Sequence, residues 1–78
     1  MKKIIVLGTG CSGCKALYDT VLKAVEELAF EATVEKQEDI VKIMEYNVMR
    51  LPGLVIDGKV VSSGKKLTID EVKKLLNQ

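Results

Sequence analysis

The chain has 78 residues and a formal net charge of +1, with its basic and acidic residues interspersed. That length predicts one domain over 1–78, close to the lower limit for a self-supporting core. The balanced charge and only three aromatics (Tyr18, Phe30, Tyr46) exclude a basic stacking surface for nucleic acid. The longest apolar run near the start, Ile4 to Leu7, is too short for a membrane span, and also for a secretory signal core of roughly 7–15 residues. A cytoplasmic protein is expected.

The run "KKIIVLG" is continuously apolar and rich in β-branched residues, which predicts a strand buried on both faces. From about Cys11 to Ala29 the period becomes helical, with Cys14, Leu17, Val21, Val25 and Leu28 on one stripe. "EATVEK" (31–36) predicts a second strand. "EDIVKIMEYN" (38–47) predicts a second helix, with acids in its first turn and Asn47 as its stop. Met44 and Met49 are expected to fill gaps in the core. After "MRLPG" breaks the chain, "LVIDGKVVSS" (54–63) is a hairpin around Asp57-Gly58. Thr68 followed by Glu71 is a capping box that opens the last helix, whose Ile69, Val72, Leu75 and Leu76 face the sheet. Lys65, Lys66, Lys73 and Lys74 are expected on a solvated face. The order β-α-β-α-β-β-α follows, an α/β fold with a mixed four-stranded sheet and three helices.

The segment "VLGTGCSGCKAL" carries two overlapping patterns. Gly8, Gly10 and Gly13 spell G-x-G-x-x-G after a strand and before a helix, and Glu35 lies near the place of a ribose-binding acid. A dinucleotide site, however, needs a larger parallel sheet than a chain that turns back in a hairpin can build. The glycines are better explained by the backbone freedom of a strand-to-helix turn. Cys11 and Cys14 spell C-x-x-C. Cys11 at the helix mouth sits where unpaired N–H groups and the helix dipole favour a thiolate, lowering a thiol pKa from about 8.5 towards roughly 3.5–7.5. Lys15 and Arg50 are further candidates to stabilise it. Cys14, one turn along and more covered, shares the face of Cys11. An exposed attacking thiolate beside a shielded resolving thiol is what disulfide exchange requires. A purely structural bridge across so short a loop would add only roughly 2 kcal/mol.

Taken together, strand, C-x-x-C at a helix start, β-α, then a proline leading a hairpin and a last helix resemble the thioredoxin/glutaredoxin superfamily. "VLGTGCSGCKAL" and "LPGLVIDGKVVSSGK" are similar to its very short archaeal and bacterial members, and the likeness spans essentially the whole chain. The resemblance implies that Cys11 attacks and Cys14 resolves. It implies that Pro52 is a cis-proline lying against the dithiol; an X-Pro bond is cis in only about 5–6% of cases, so residue type alone does not give this. It also implies substrate contacts at Leu51, Pro52, Gly10 and Ser12, with the backbone of Leu51 pairing to an extended segment. Gly64 matches the glycine that ends the hairpin near the site. The partners implied are a disulfide-containing protein and a thioredoxin-reductase-like, flavin-dependent electron donor; a monomer without cofactor or bound metal is expected.

The chain departs from the superfamily's better-known patterns. No tryptophan precedes Cys11, no acid stands in the first strand, and there is no histidine to accept the proton of Cys14. Tyr18 is expected to pack rather than gate the thiol. The rival from another class is a Cu(I)-type metal carrier, since two thiolates suit a soft ion. Carriers of this size run β-α-β-β-α-β and have a methionine two positions before the first cysteine, where this chain has Thr9. Zinc would need about four ligands where one chain offers two.

Overall fold

The computed structural model of the chain describes residues 2–9, 12–28, 31–48, 50–64 and 67–77. Along the sequence these form β1 (Lys2–Leu7), α1 (Ser12–Glu27), β2 (Ala32–Gln37), α2 (Ile40–Glu45), β3 (Gly53–Ile56), β4 (Lys59–Ser63) and α3 (Ile69–Leu76). The sheet runs β2-β1-β3-β4. β1 is parallel to β2 and antiparallel to β3, and β3 is antiparallel to β4. The expected β-α-β-α-β-β-α order and mixed four-stranded sheet are therefore present.

Side chains alternate across a strand, so the unbroken apolar run of β1 feeds two layers at once. Ile4 and Val6 pack with Leu17, Val21 and Ala24 of α1 and with Val72 and Leu76 of α3. Ile5 and Leu7 point the other way, to Val55 and to Ile43 of α2. Each such fully buried aliphatic side chain stabilises the fold by about 1.5–3 kcal/mol. Two helices thus cover one face of the sheet and α2 covers the other.

The hairpin forms for local reasons. Asp57 (φ 52°) and Gly58 (φ 80°) both take the positive φ that a two-residue type I′ turn demands. The Asp57 carboxylate accepts from the Lys3 N–H at 3.0 Å, and its own N–H donates to the Lys3 carbonyl at 2.8 Å, so the turn is fastened to β1. Pairing of Leu54 with Ser62 and then of Val55 with Val60 leaves Val61 as an extra residue, a bulge in β4. At α3 the capping box is complete: the Glu71 N–H donates to Thr68 Oγ1 at 3.2 Å, and the Thr68 N–H donates to Glu71 Oε1 at 3.1 Å. The Lys2 ammonium donates to the Leu76 carbonyl at the far end of that helix, at 2.9 Å.

Several expectations change. The second helix begins at Ile40, so Glu38 lies before it and Asp39 is its N-cap, whose carboxylate accepts from the Val41 N–H at 3.0 Å. Neither acid is in the first turn. Met44 is 66% exposed instead of filling the core; it follows Ile43, and about 100° of helical rotation separates successive side chains. Met49 lies outside the described residues. On α1 the buried stripe includes Ala24, while Val25 and Leu28 are only partly covered. The second strand is displaced by one residue, to Ala32–Gln37. Lys73 is partly exposed and its ammonium donates to Glu27 Oε1 at 2.9 Å in a surface ion pair that joins α3 to α1, whereas Lys74 is exposed. Lys65 and Lys66 lie outside the described residues.

Candidate functional site

The parallel pair and the antiparallel pair bring three chain segments to one end of the sheet: the turn after β1, the residues after β2, and the loop before β3. Gly8 leaves β1 with its N–H donating to the Gln37 carbonyl at 3.0 Å. That N–H is committed to the sheet rather than turned towards a phosphate. A Cβ on Gly8 would lie 2.6 Å from the Cβ of Cys14 and would also strike its sulfur. Gly8 is a glycine because the Cys14 side chain occupies the space beside it. Glu35, the other half of the dinucleotide reading, is exposed and faces Lys3 at 3.6 Å. For Gly8, the first glycine of the pattern, packing against a cysteine accounts for the residue.

Cys14 is the third residue of α1, only 6% exposed, and is held in a disulfide. Cys11, the other cysteine of the sequence, lies outside the described residues, as does Gly10. Ser12 is the first residue of α1. Opposite the helix start, the Leu51–Pro52 peptide bond is cis. Pro52 comes against Gly13, where an added Cβ would stand 3.9 Å from the proline Cδ, so the ring meets the first turn of α1. Leu51 is half-buried on the α2 side of the sheet, against Ile5, Leu7, Ile43 and Val55. The Pro52 carbonyl accepts from the Gly64 N–H at 2.9 Å, fixing the loop to the end of β4. Gly64 has φ 71° and its Cα lies against Arg50, whose Cβ would be 2.8 Å from an added methyl. Both the backbone angle and the close approach require glycine there. Arg50 and Lys15 are exposed, and Tyr18 packs against the core with the Lys36 ammonium 4.4 Å from its ring centroid.

Cys14 also borders a small cavity lined by Val6, Gly8, Lys15, Lys36 and Glu38. Lys36 and Glu38 were not among the residues that the sequence singled out. The signal was available, since parallel strands end side by side: Lys36 pairs with Val6 and Gln37 with Leu7. Residues just past the end of β2 must therefore flank the turn that follows β1. As for a metal, no group of three or more His, Cys, Asp or Glu able to hold an ion occurs among the described residues. A helix, α2, also follows β2, where the metal-carrier order has a strand.

Comparison with known proteins agrees with this architecture. A family model described as a thioredoxin domain matches residues 2–77. The chain is 38% identical over 77 residues to a thioredoxin of Methanothermobacter thermautotrophicus, covering 99% of this chain and 100% of that protein. It is 40% identical over 76 residues to a thioredoxin of Methanocaldococcus jannaschii, covering 97% of this chain and 87% of that protein.

Proposed function

Because the chain belongs to the thioredoxin domain family, we propose that it is a small thiol–disulfide oxidoreductase working through reversible oxidation of Cys11 and Cys14. Family membership supports disulfide chemistry in general; the assignment of the two cysteines is our reading. The observation that carries it is Cys14, buried at the start of α1, disulfide-bonded, and close to the first-turn residue that meets the cis Leu51–Pro52 loop. The sequence offers one other cysteine, Cys11, immediately before α1.

In the reduced protein, Cys11 is the nucleophile. The residue before a helix lies in the field of unpaired N–H groups, which favours a thiolate. Its sulfur attacks one sulfur of a substrate disulfide, and the first substrate thiolate leaves. Cys14 then gives up its proton and attacks Cys11. The second substrate sulfur departs with the electron pair, and the Cys11–Cys14 disulfide remains. Two electrons have passed to the substrate, and a thioredoxin-reductase-like donor must return two to the chain. The Leu51 backbone, two residues before β3, pairs with an extended substrate segment, and Pro52, Gly10 and Ser12 are the further substrate-binding residues of this reading. The chain acts as one domain over 1–78, as a monomer in the cytoplasm, on disulfide-containing proteins.

Single-cysteine variants test the roles. Cys11→Ser is expected to abolish reduction of an insulin disulfide, whereas Cys14→Ser accumulates a mixed disulfide with the target, visible by mass on non-reducing gels. Full multiple-turnover reduction by Cys14→Ser would contradict the assignment.

A further inference from the structure

Release of substrate requires the Cys14 thiol to lose a proton, and β1 holds no acid to take it: Ile4, Ile5, Val6 and Leu7 are all buried and apolar. The sequence has no histidine. The cavity beside Cys14 supplies an alternative. Its volume is about 70 Å³, several times the roughly 10–15 Å³ that one water requires. Three of its lining groups are charged: Lys15 from α1, Lys36 from β2 and Glu38 just past β2. An ammonium has only protons to donate, so the carboxylate of Glu38 is the acceptor in this set. β1 and the residue after it contribute only Val6 and Gly8, and Arg50 of the facing loop has its stem against Gly64.

The backbone on both sides of Glu38 is fixed. The Gln37 carbonyl accepts from Gly8, the Gln37 side-chain oxygen accepts from the Asp39 N–H at 3.1 Å, and the Asp39 carboxylate is occupied in capping α2. Lys36 is drawn onto the Tyr18 ring. Building on the dithiol reading, we infer that Glu38 takes the proton of Cys14, through a water in this cavity, when the mixed disulfide is resolved. The Cys14 proton passes to Glu38 as the Cys14 sulfur bonds to Cys11. The bond from Cys11 to the substrate breaks with its electron pair on the substrate sulfur, and Glu38 returns the proton to that thiolate or to solvent. Glu38 is a positioning and relay residue, since it reaches the sulfur through water.

The direction of the effect separates a relay from a bystander. A carboxylate that is merely a nearby negative charge disfavours a thiolate, so removing it would speed resolution. Removing a proton acceptor slows it. The test is stopped-flow reaction of the reduced full chain with an aromatic disulfide such as Ellman's reagent. The first coloured thiolate reports Cys11 attack and the second reports Cys14 resolution. In Glu38→Gln at pH 7 the second phase is expected to slow about tenfold or more with the first unchanged. The deficit narrows as the pH rises, because hydroxide then removes the Cys14 proton without help. Glu38→Asp should restore part of the rate. An unchanged or faster second phase, or slowing by one factor at every pH or in both phases, would overturn the inference. A wild-type chain with no second phase would overturn the dithiol reading itself, and the relay with it.

Discussion

The tightest constraint on a single residue is at Gly8. Its added Cβ would stand 2.6 Å from the Cβ of Cys14, and the neighbour is the root of a short side chain in a helix rather than the free end of a long one. Gly8→Ala is therefore expected to push Cys14 from its buried place, costing about 1–3 kcal/mol of stability, in the range of core overpacking. Chemical denaturation of wild type and variant checks the cost. Faster alkylation of Cys14 in the reduced variant checks the displacement, and unchanged stability with unchanged alkylation would contradict it. The role of this glycine was only half legible in the sequence. Its presence in a strand-to-helix turn was readable from the pattern, but its partner was not, because a backbone-to-cysteine approach depends on how the helix leaves the turn. Glu38 is legible only through topology: nothing local distinguishes it from any other exposed acid, and only the parallel pairing of β2 with β1 places it beside the turn. Met44 shows the opposite failure, a residue type that favours interiors but whose angular position on a short helix leaves it 66% exposed.

Among the elements, those governed by local chemistry were readable and those governed by packing were less so. Asp57-Gly58 dictates its turn through the positive φ at both positions, and Thr68 with Glu71 dictates where α3 starts. Thr68→Ala removes the hydroxyl that accepts the Glu71 N–H, and the expected cost is about 1 kcal/mol. For a domain of this size that is a fall of about 4–8 °C in Tm, measurable by thermal melting; Thr68→Ser should recover most of it. A melting point unchanged by Thr68→Ala would mean that the cap contributes nothing beyond its solvent alternatives. α2 was the least readable element. At six residues, with Ile43 as its one buried residue among those described, it has no stripe to reveal its phase. Its start is set by the Asp39 cap rather than by periodicity. The partner of Lys73 was not readable, because helix-surface patterning does not reveal that α1 passes close enough for Glu27 to reach it.

At the scale of the whole molecule, both helical layers and the sheet converge on one end. The strand order β2-β1-β3-β4 puts the start of α1, the end of β2 and the loop before β3 side by side, although they lie far apart in sequence. Its two outer pairs were derivable, since a parallel pair needs a crossover helix and a two-residue turn forces an antiparallel neighbour, whereas the β1–β3 pairing that joins them rests on packing. The resulting assembly holds a buried cysteine against a glycine turn, with the cis Leu51–Pro52 loop meeting the same helix start, on a core too small to be indifferent to any of them. The central claim is that Cys11 and Cys14 interconvert between dithiol and disulfide. It is tested most directly by equilibrating the chain in thiol/disulfide buffers of graded potential and counting alkylated cysteines by mass. The account predicts one reversible two-electron transition, with both cysteines blocked or free together, at a midpoint between about −180 and −280 mV, the span of known dithiol carriers. Two cysteines that stay alkylatable across that whole window would contradict it.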